Sequence, residues 1–345
     1  MQDPTSSSQS TGREPINSEP THTGPSTVNP TGQPAAAEHP DPARNFSSIS
    51  PSAYALLLMK GLTAIPYARE AAALLNAARP LQPDSDTGID TSRPAFWLRL
   101  LHFENRYWSI DQLMADLPVT NILEISSGFS FRGLALSRRQ AVHYIDTDLP
   151  DLIATKQTFV DALTAADANA QTGAPADATH TSGLYELLAL NVLDETAFNA
   201  IIDRFPPGEL LILNEGLLVY LDQQEKEQLC RIIHKILQRR GGYWITADIY
   251  VKHKFDRPAW QVNDRLTEFF EKHKIEENKF ADFDTATAFF TRMGFAVDKE
   301  AVNYRHELTG FSRLMATLPP DALEKAGQTP PPKIHATWRL RVANP

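Results

Sequence analysis

Four short apolar runs in this chain end in side chains that can hold a polar ligand. Glu124 closes NILE, Asp146 and Asp148 close YIDTD, Asn191 follows LYELLAL, and Glu215 follows LLILN. If these runs are parallel strands, their carboxyl ends meet in one crevice, the place where open α/β sheets bind ligands. Asp146 and Asp148 could accept both hydroxyls of a nucleoside ribose there. Glu124 would repel a pyrophosphate but attract an ammonium or the dipoles of a water network. Each group alone is equally an ordinary strand-end residue, yet four strand ends each carrying one are harder to read that way.

The turn after the first run, within NILEISSGFSFRG, narrows the choice of ligand. A dinucleotide fingerprint asks for G-x-G-x-x-G, so that backbone can approach a pyrophosphate and the helix can pack closely. Ser126, Gly128 and Phe131 stand at that spacing, and no Walker G-x-x-x-x-G-K-S/T occurs. A phosphate cradle is therefore unsupported, which also counts against a nicotinamide dehydrogenase.

Other reactive side chains are scattered. His102, His143, His253 and His306 are isolated in sequence, show no metal-ligand spacing and read as surface or packing histidines; His253, after the fifth apolar run, is the first to test as a base. No metal site is expected. Cys230, the single cysteine, lies in a helical pattern and reads as a small buried apolar side chain. One cysteine excludes an intrachain disulfide and points to a reducing, cytoplasmic compartment.

The elements that must position these groups follow from patterning over the 345 residues. A hydrophobic fraction of 42% suffices for a substantial core. The net charge of -9 and the lack of a dense Lys/Arg stripe argue against nucleic acid as a partner. Small molecules or proteins are the better candidates, no membrane partner is expected because no stretch approaches the roughly 18 to 20 apolar residues of a membrane span, and oligomeric state is not legible.

Residues 1–46 are rich in Pro, Ser and Thr with few large apolar side chains, and a disordered tail is expected there. Residues 47–118 read as helices: one beginning near Ser50-Pro51, a division at Pro66, and a long helix over PAFWLRLLHFENRYWSIDQLM. From 119 to 345 short apolar runs alternate with helical patterns, the signature of a parallel sheet covered on both faces. Strands are expected at 121–125, 141–146, 185–191, 209–214 and 242–248, with FAVDKEAV and HATWRLRV forming an edge hairpin. The low-complexity stretch 162–183 reads as a surface insertion.

With these motifs in order, the chain from about Ser50 onward resembles the leucine carboxyl methyltransferase family, including its bacterial polyketide-type O-methyltransferases. EISSGFSFRG is similar to the family's first motif through Glu124, Ser126, Gly128, Ser130, Arg132 and Gly133. The resemblance implies an α/β fold of the Rossmann-like class I methyltransferase type: a seven-stranded, mostly parallel sheet with helices on both faces and an N-terminal helical lid.

It also implies S-adenosyl-L-methionine as cofactor. Ser126 and Gly128 then pass beside its methionine part, and Arg106 binds its carboxylate through a bidentate fork. Asp148, with Asp146 near it, lies at the ribose. Asn191 and Val192 flank the adenine, Asn191 standing where the family usually has Asp. Glu215 lies close to the cofactor, with Tyr220 behind it as a candidate catalytic residue beside His253. Lys60 stands where the lid often carries an arginine, and lysine lacks that fork.

The expected activity is O-methyl transfer to a carboxylate or hydroxyl of a small, polyketide-like molecule. Methyl transfer needs nucleophile, methyl carbon and sulfur held in line, with water excluded. A carboxylate acceptor is already ionised, whereas a hydroxyl gains from a general base. A protein C-terminal carboxyl methyltransferase and a non-catalytic, methyltransferase-like binding protein are the competing readings.

Overall fold

Strand β1, Asn121–Ile125, is buried along its whole length in the interior of the sheet. The computed structural model describes residues 50–78, 90–171, 183–252, 265–303, 305–320 and 332–343. The expected tail, His253 and part of the 162–183 stretch lie outside them.

Helices α1 (Ser50–Lys60), α2 (Ala68–Ala78) and α3 (Pro94–Met114) precede the sheet. Then follow α4 (Arg132–Ser137), β2 (His143–Asp148), α5 (Pro150–Gln171), β3 (Leu184–Ala189), α6 (Glu195–Ile202) and β4 (Leu210–Asn214). After these come α7 (Gln223–Arg240), β5 (Gly242–Tyr250), α8 (Arg265–Lys272), α9 (Ile275–Asn278), α10 (Phe283–Arg292), β6 (Phe295–Glu300), α11 (Thr309–Thr317) and β7 (His335–Val342).

The seven strands run in the order β3-β2-β1-β4-β5-β7-β6. Strands β1 to β5 pair in parallel, and β7 is antiparallel to both β5 and β6. The expected hairpin thus forms with β7 inside the sheet and β6 at its edge. Between β1 and β4 the strand order reverses, so the ligand crevice of such a sheet lies above their carboxyl ends.

Strand alternation decides which face each polar group meets. Leu123 and Ile125 of β1, with Leu210 and Ile212 of β4, pack against Phe198 of α6 and Leu229 and Ile233 of α7. Ile122, Leu211 and Leu213 point the other way, against Ile110 and Leu113 of α3. By the same period of two, Glu124 and Glu215 fall on the α3 side.

Local signals set the helix ends. Asp222 and Glu225 form a reciprocal capping box at the start of α7, and Gly241 ends that helix at φ 73°. Helix α5 runs on to Gln171, through the first half of the stretch expected as an insertion, because ALTAADANA is rich in strong helix formers. No helix among the described residues is long and apolar enough to cross a membrane.

Helix α1 lies against the β1 turn. Ala53 of α1 lies over the β1 turn, Tyr54 packs edge-on against Phe129 with centroids 5.0 Å apart, and Leu57 joins the cluster holding Phe129 and Phe131. Helix α1 thus packs directly on the turn that leaves β1.

Candidate active site

The turn leaving β1 is built from two left-handed residues, Ser126 at φ 52° and Gly128 at φ 49°. Glycine accepts that conformation freely, whereas serine is strained by it. The turn is tied down at several points. Ser127 N donates to Thr147 O at 2.9 Å, and Gly128 N donates to Asp148 Oδ2 at 2.8 Å. Gly133 closes the motif for a packing reason: a Cβ there would lie within 2.7 Å of the Tyr144 and Tyr185 rings.

Beneath the turn lies a buried ionic network. Arg132 donates to Glu124 at 2.9 Å, to Asp111 of α3 at 2.7 Å and to Tyr107 O at 3.0 Å, with its guanidinium 4.0 Å from the Tyr107 ring centroid. Tyr144 Oη donates to the other Glu124 oxygen. Burial raises the Asp111 carboxyl against the pull of Arg132. Glu124 and Arg132 thus engage each other below the loop, and their effect on a ligand would pass through the turn they fix.

Asp146 and Asp148, two residues apart, occupy different settings. Asp146 is fully buried, paired with Lys156 of α5 at 2.7 Å and accepting from Tyr185 Oη at 2.6 Å. Burial lifts its carboxyl to about 6, with Lys156 opposing. Lys156 also donates to Ser127 Oγ at 2.9 Å, which joins this cluster to the turn. Asp148 is partly exposed at the β2 end, accepting from Gly128 N and from Leu149 N at 2.7 Å. Of the two acids, Asp148 is the more exposed, with both oxygens held by turn amides, whereas Asp146 Oδ1 is buried without a hydrogen-bond partner among the described residues.

At the end of β3, Asn191 is exposed and its Oδ1 accepts from Leu193 N at 3.1 Å, while Val192 is buried beside Leu190 in the core. They border the β2 end, where Leu190 N donates to Asp148 O at 2.8 Å.

The densest charge cluster stands above β4. Lys60, the last residue of α1, donates to Glu215 Oε1 at 2.8 Å, and Arg106 of α3 reaches the same oxygen through Nη2 at 3.5 Å. Burial pushes the Glu215 carboxyl up, but Lys60, Arg106 and Arg132 outweigh it and hold the group at about 2. Burial lowers Lys60, with Glu215 opposing. Glu215 Oε2 and Arg106 Nε are both buried and lack a hydrogen-bond partner among the described residues. Native interiors rarely leave such atoms unmet. One acceptor and one donor left open together match the ammonium and carboxylate of an amino acid.

Sequence reasoning passed over the groups that shape this cluster. Asp248, near the end of β5, accepts from Asn214 Nδ2 and from the backbone N–H groups of Gly216, Leu217 and Leu218 at 2.7 to 3.0 Å, so it folds the β4 turn that presents Glu215. Gly216, at φ 79°, lets Arg106 lie close: a Cβ would come within 2.9 Å of Nη2. Asp248 obeys the strand-end rule applied to the other four runs and was legible by it. Lys156 had a signal as well, as a lone cation on the apolar face of α5.

Tyr220 lies in a 3-10 turn, Leu218–Tyr220, directly after this cluster. Its Oη donates to Ser52 Oγ of α1 at 3.4 Å, and its ring meets Phe269 edge-on at 6.3 Å. His102 of α3 bonds Tyr250 Oη through Nε2 at 2.7 Å, whereas His143 pairs with Glu186 at 2.7 Å near the start of β2, away from the crevice.

No protein-family model and no curated protein matches the chain. Solved structures similar to it include an O-methyltransferase family protein from Burkholderia thailandensis, at 13% identity over 80% of this chain and 69% of that one, TM-score 0.41. The pyocyanin biosynthetic protein PhzM matches at 11% identity over 81% and 69%, TM-score 0.41. Magnesium protoporphyrin IX methyltransferase from Synechocystis PCC 6803 with bound SAH matches at 7% identity over 81% and 96%, TM-score 0.38. These are distant likenesses, and the site described above stands on its own residues.

Proposed function

We propose that the protein is a class I S-adenosylmethionine-dependent O-methyltransferase acting on a small molecule. The observation that carries this reading is the Lys60–Arg106–Glu215 cluster at the β1/β4 switch point, with Arg106 Nε and Glu215 Oε2 left open. The donor set suits the amino-acid end of that cofactor: Arg106 and Lys60 for its carboxylate, Glu215 for its ammonium. Asp148, at the β2 end, would receive the ribose hydroxyls, Ser126 and Gly128 would border the methionine arm, and Asn191 and Val192 the adenine. When bound, the cofactor supplies an electrophilic methyl group on sulfur.

The chain's own contribution is to hold and to shield. The fixed turn keeps backbone at one distance from the ligand, and α1 over the crevice keeps water out. Within the class, the leucine carboxyl methyltransferase type is the closest fit, supported by a lid cation, a helix α3 arginine and a β4 glutamate converging on one point. A small-molecule acceptor is favoured over a protein C-terminus because α1 packs closely on the turn through Tyr54 and Leu57.

Calorimetric titration with S-adenosylhomocysteine tests the cofactor part of the reading, and turnover across a panel of phenols and acids separates an enzyme from a binding protein. Absence of binding at millimolar ligand would reject the proposal.

A further inference from the structure

We propose that Tyr250 is a catalytic residue that receives the proton of a phenol-type hydroxyl acceptor, and that His102 behind it takes up the proton displaced. This builds on the methyltransferase reading above and narrows its acceptor class from carboxylate or hydroxyl to hydroxyl.

The geometry is a three-residue chain. Arg106 Nη1 donates to Tyr250 Oη at 3.1 Å, and Tyr250 Oη lies 2.7 Å from His102 Nε2. A guanidinium can only donate, so the Tyr250 oxygen is an acceptor toward Arg106. Its own O–H is then directed to His102 Nε2 whenever that nitrogen carries no proton. Burial raises the Tyr250 phenol above its ordinary range, against the pull of Arg106, so it keeps its proton at neutral pH.

The chain begins at the proposed cofactor end and leads to the acceptor side. Through its other nitrogen the same Arg106 guanidinium faces Glu215, so Tyr250 Oη stands one side chain away from the cluster assigned to the cofactor. Tyr250 is the last residue of β5, beside β4 and at the carboxyl end of the sheet. Its ring packs in an apolar group with Val219, Tyr220, Ile275 and Phe269.

His102 is held in place from behind. The His335 ring lies 5.1 Å from the His102 ring and 4.6 Å from the Tyr250 ring, and His335 Nε2 donates to Ala247 O at 2.7 Å.

The step balances. The acceptor O–H bond breaks as its proton passes to Tyr250 Oη, and the Tyr250 proton passes to His102 Nε2. The freed electron pair on the acceptor oxygen forms the new O–CH3 bond while the methyl–sulfur bond breaks and its pair stays on sulfur. The imidazolium afterwards returns its proton to solvent. A carboxylate acceptor would need none of this, so a built proton path speaks for a hydroxyl.

The test uses the full chain with S-adenosylmethionine and a panel of phenols and aromatic acids. Wild type should methylate phenols. His102→Ala should lose about 100-fold or more of that rate, recover part of it with added imidazole, and still bind S-adenosylhomocysteine. His102→Gln, which keeps a hydrogen bond to Tyr250 but takes no proton, should show the same loss, and it serves if the alanine variant fails to fold. Tyr250→Phe should lose phenol turnover as well.

Unchanged phenol turnover in the His102 variants, or methylation of the acids alone, would overturn the proposal. Cofactor binding with no transfer to any phenol would overturn it too, while leaving the cofactor reading standing. A wild-type protein that binds no S-adenosylhomocysteine and methylates nothing would remove both.

Discussion

Glu124 and Arg132 face each other at 2.9 Å with side chains only 1% and 3% exposed. One is the penultimate residue of β1 and the other opens α4, so their contact closes the loop that carries Ser126 and Gly128. Breaking a buried pair by removing one partner leaves an uncompensated charge and costs about 3 to 5 kcal/mol. Arg132→Met, which strands the Glu124 carboxylate, should lower unfolding stability by about that amount in urea titrations, and Glu124→Gln, which leaves Arg132 paired with Asp111, should cost less. Stability unchanged in both would show that the pair does not hold the turn.

Gly128 separates conformation from bulk. Its φ of 49° costs an L-residue roughly 1 to 2 kcal/mol, and the nearest atom to an added Cβ is Ala53 Cβ at 3.9 Å. Gly128→Val should therefore remain folded by circular dichroism, with a modest drop in Tm. Its side chain would enter the space between turn and lid, and affinity for S-adenosylhomocysteine should fall at least tenfold by calorimetry.

Acid stability carries the signature of Glu215. Its folded carboxyl, held at about 2, lies below its ordinary value of 4.5. The folded state therefore binds that proton less readily than the unfolded chain, and Glu215 contributes stability that is complete above 4.5 and lost as pH falls toward 2. Glu215→Gln should flatten the stability profile across this window. Superimposable wild-type and variant profiles would contradict the assignment.

Lys156 provides a test remote from the ligand. It joins Asp146 to Ser127, so Lys156→Met should destabilise the fold and loosen the turn together. In the variant, hydrogen exchange should be accelerated more at Ser127 and Gly128 in the turn than at Leu123 of β1. Uniform acceleration across β1 would mean that Lys156 supports the sheet and not the turn.

Much of this was legible from strand ends. NILEI was readable as a strand to the residue because Ile122, Leu123 and Ile125 lie close together between Pro118 and the polar Ser126-Ser127 turn, and PAFWLRLLHFENRYWSIDQLM because Pro94 opens an uninterrupted helical pattern. The convergence of Lys60, Arg106 and Glu215 was not readable from spacing, since 155 residues separate the first from the last and only tertiary packing joins them. Asp146 and Asp148 looked equivalent in YIDTD. They diverge because Lys156 and Tyr185 hold Oδ2 of the first inside the core, while turn amides hold both oxygens of the second at the more exposed strand end. Tyr250 went unremarked because an aromatic at a strand end carries no motif of its own; its meaning comes from His102 on α3.

The most direct test of the central claim is calorimetry with S-adenosylhomocysteine on wild type and on Arg106→Met. Wild type should bind at one site per chain, and the variant, its fold checked by circular dichroism, should bind at least tenfold more weakly. No binding to wild type at millimolar ligand, or equal affinity in the two proteins, would contradict that claim.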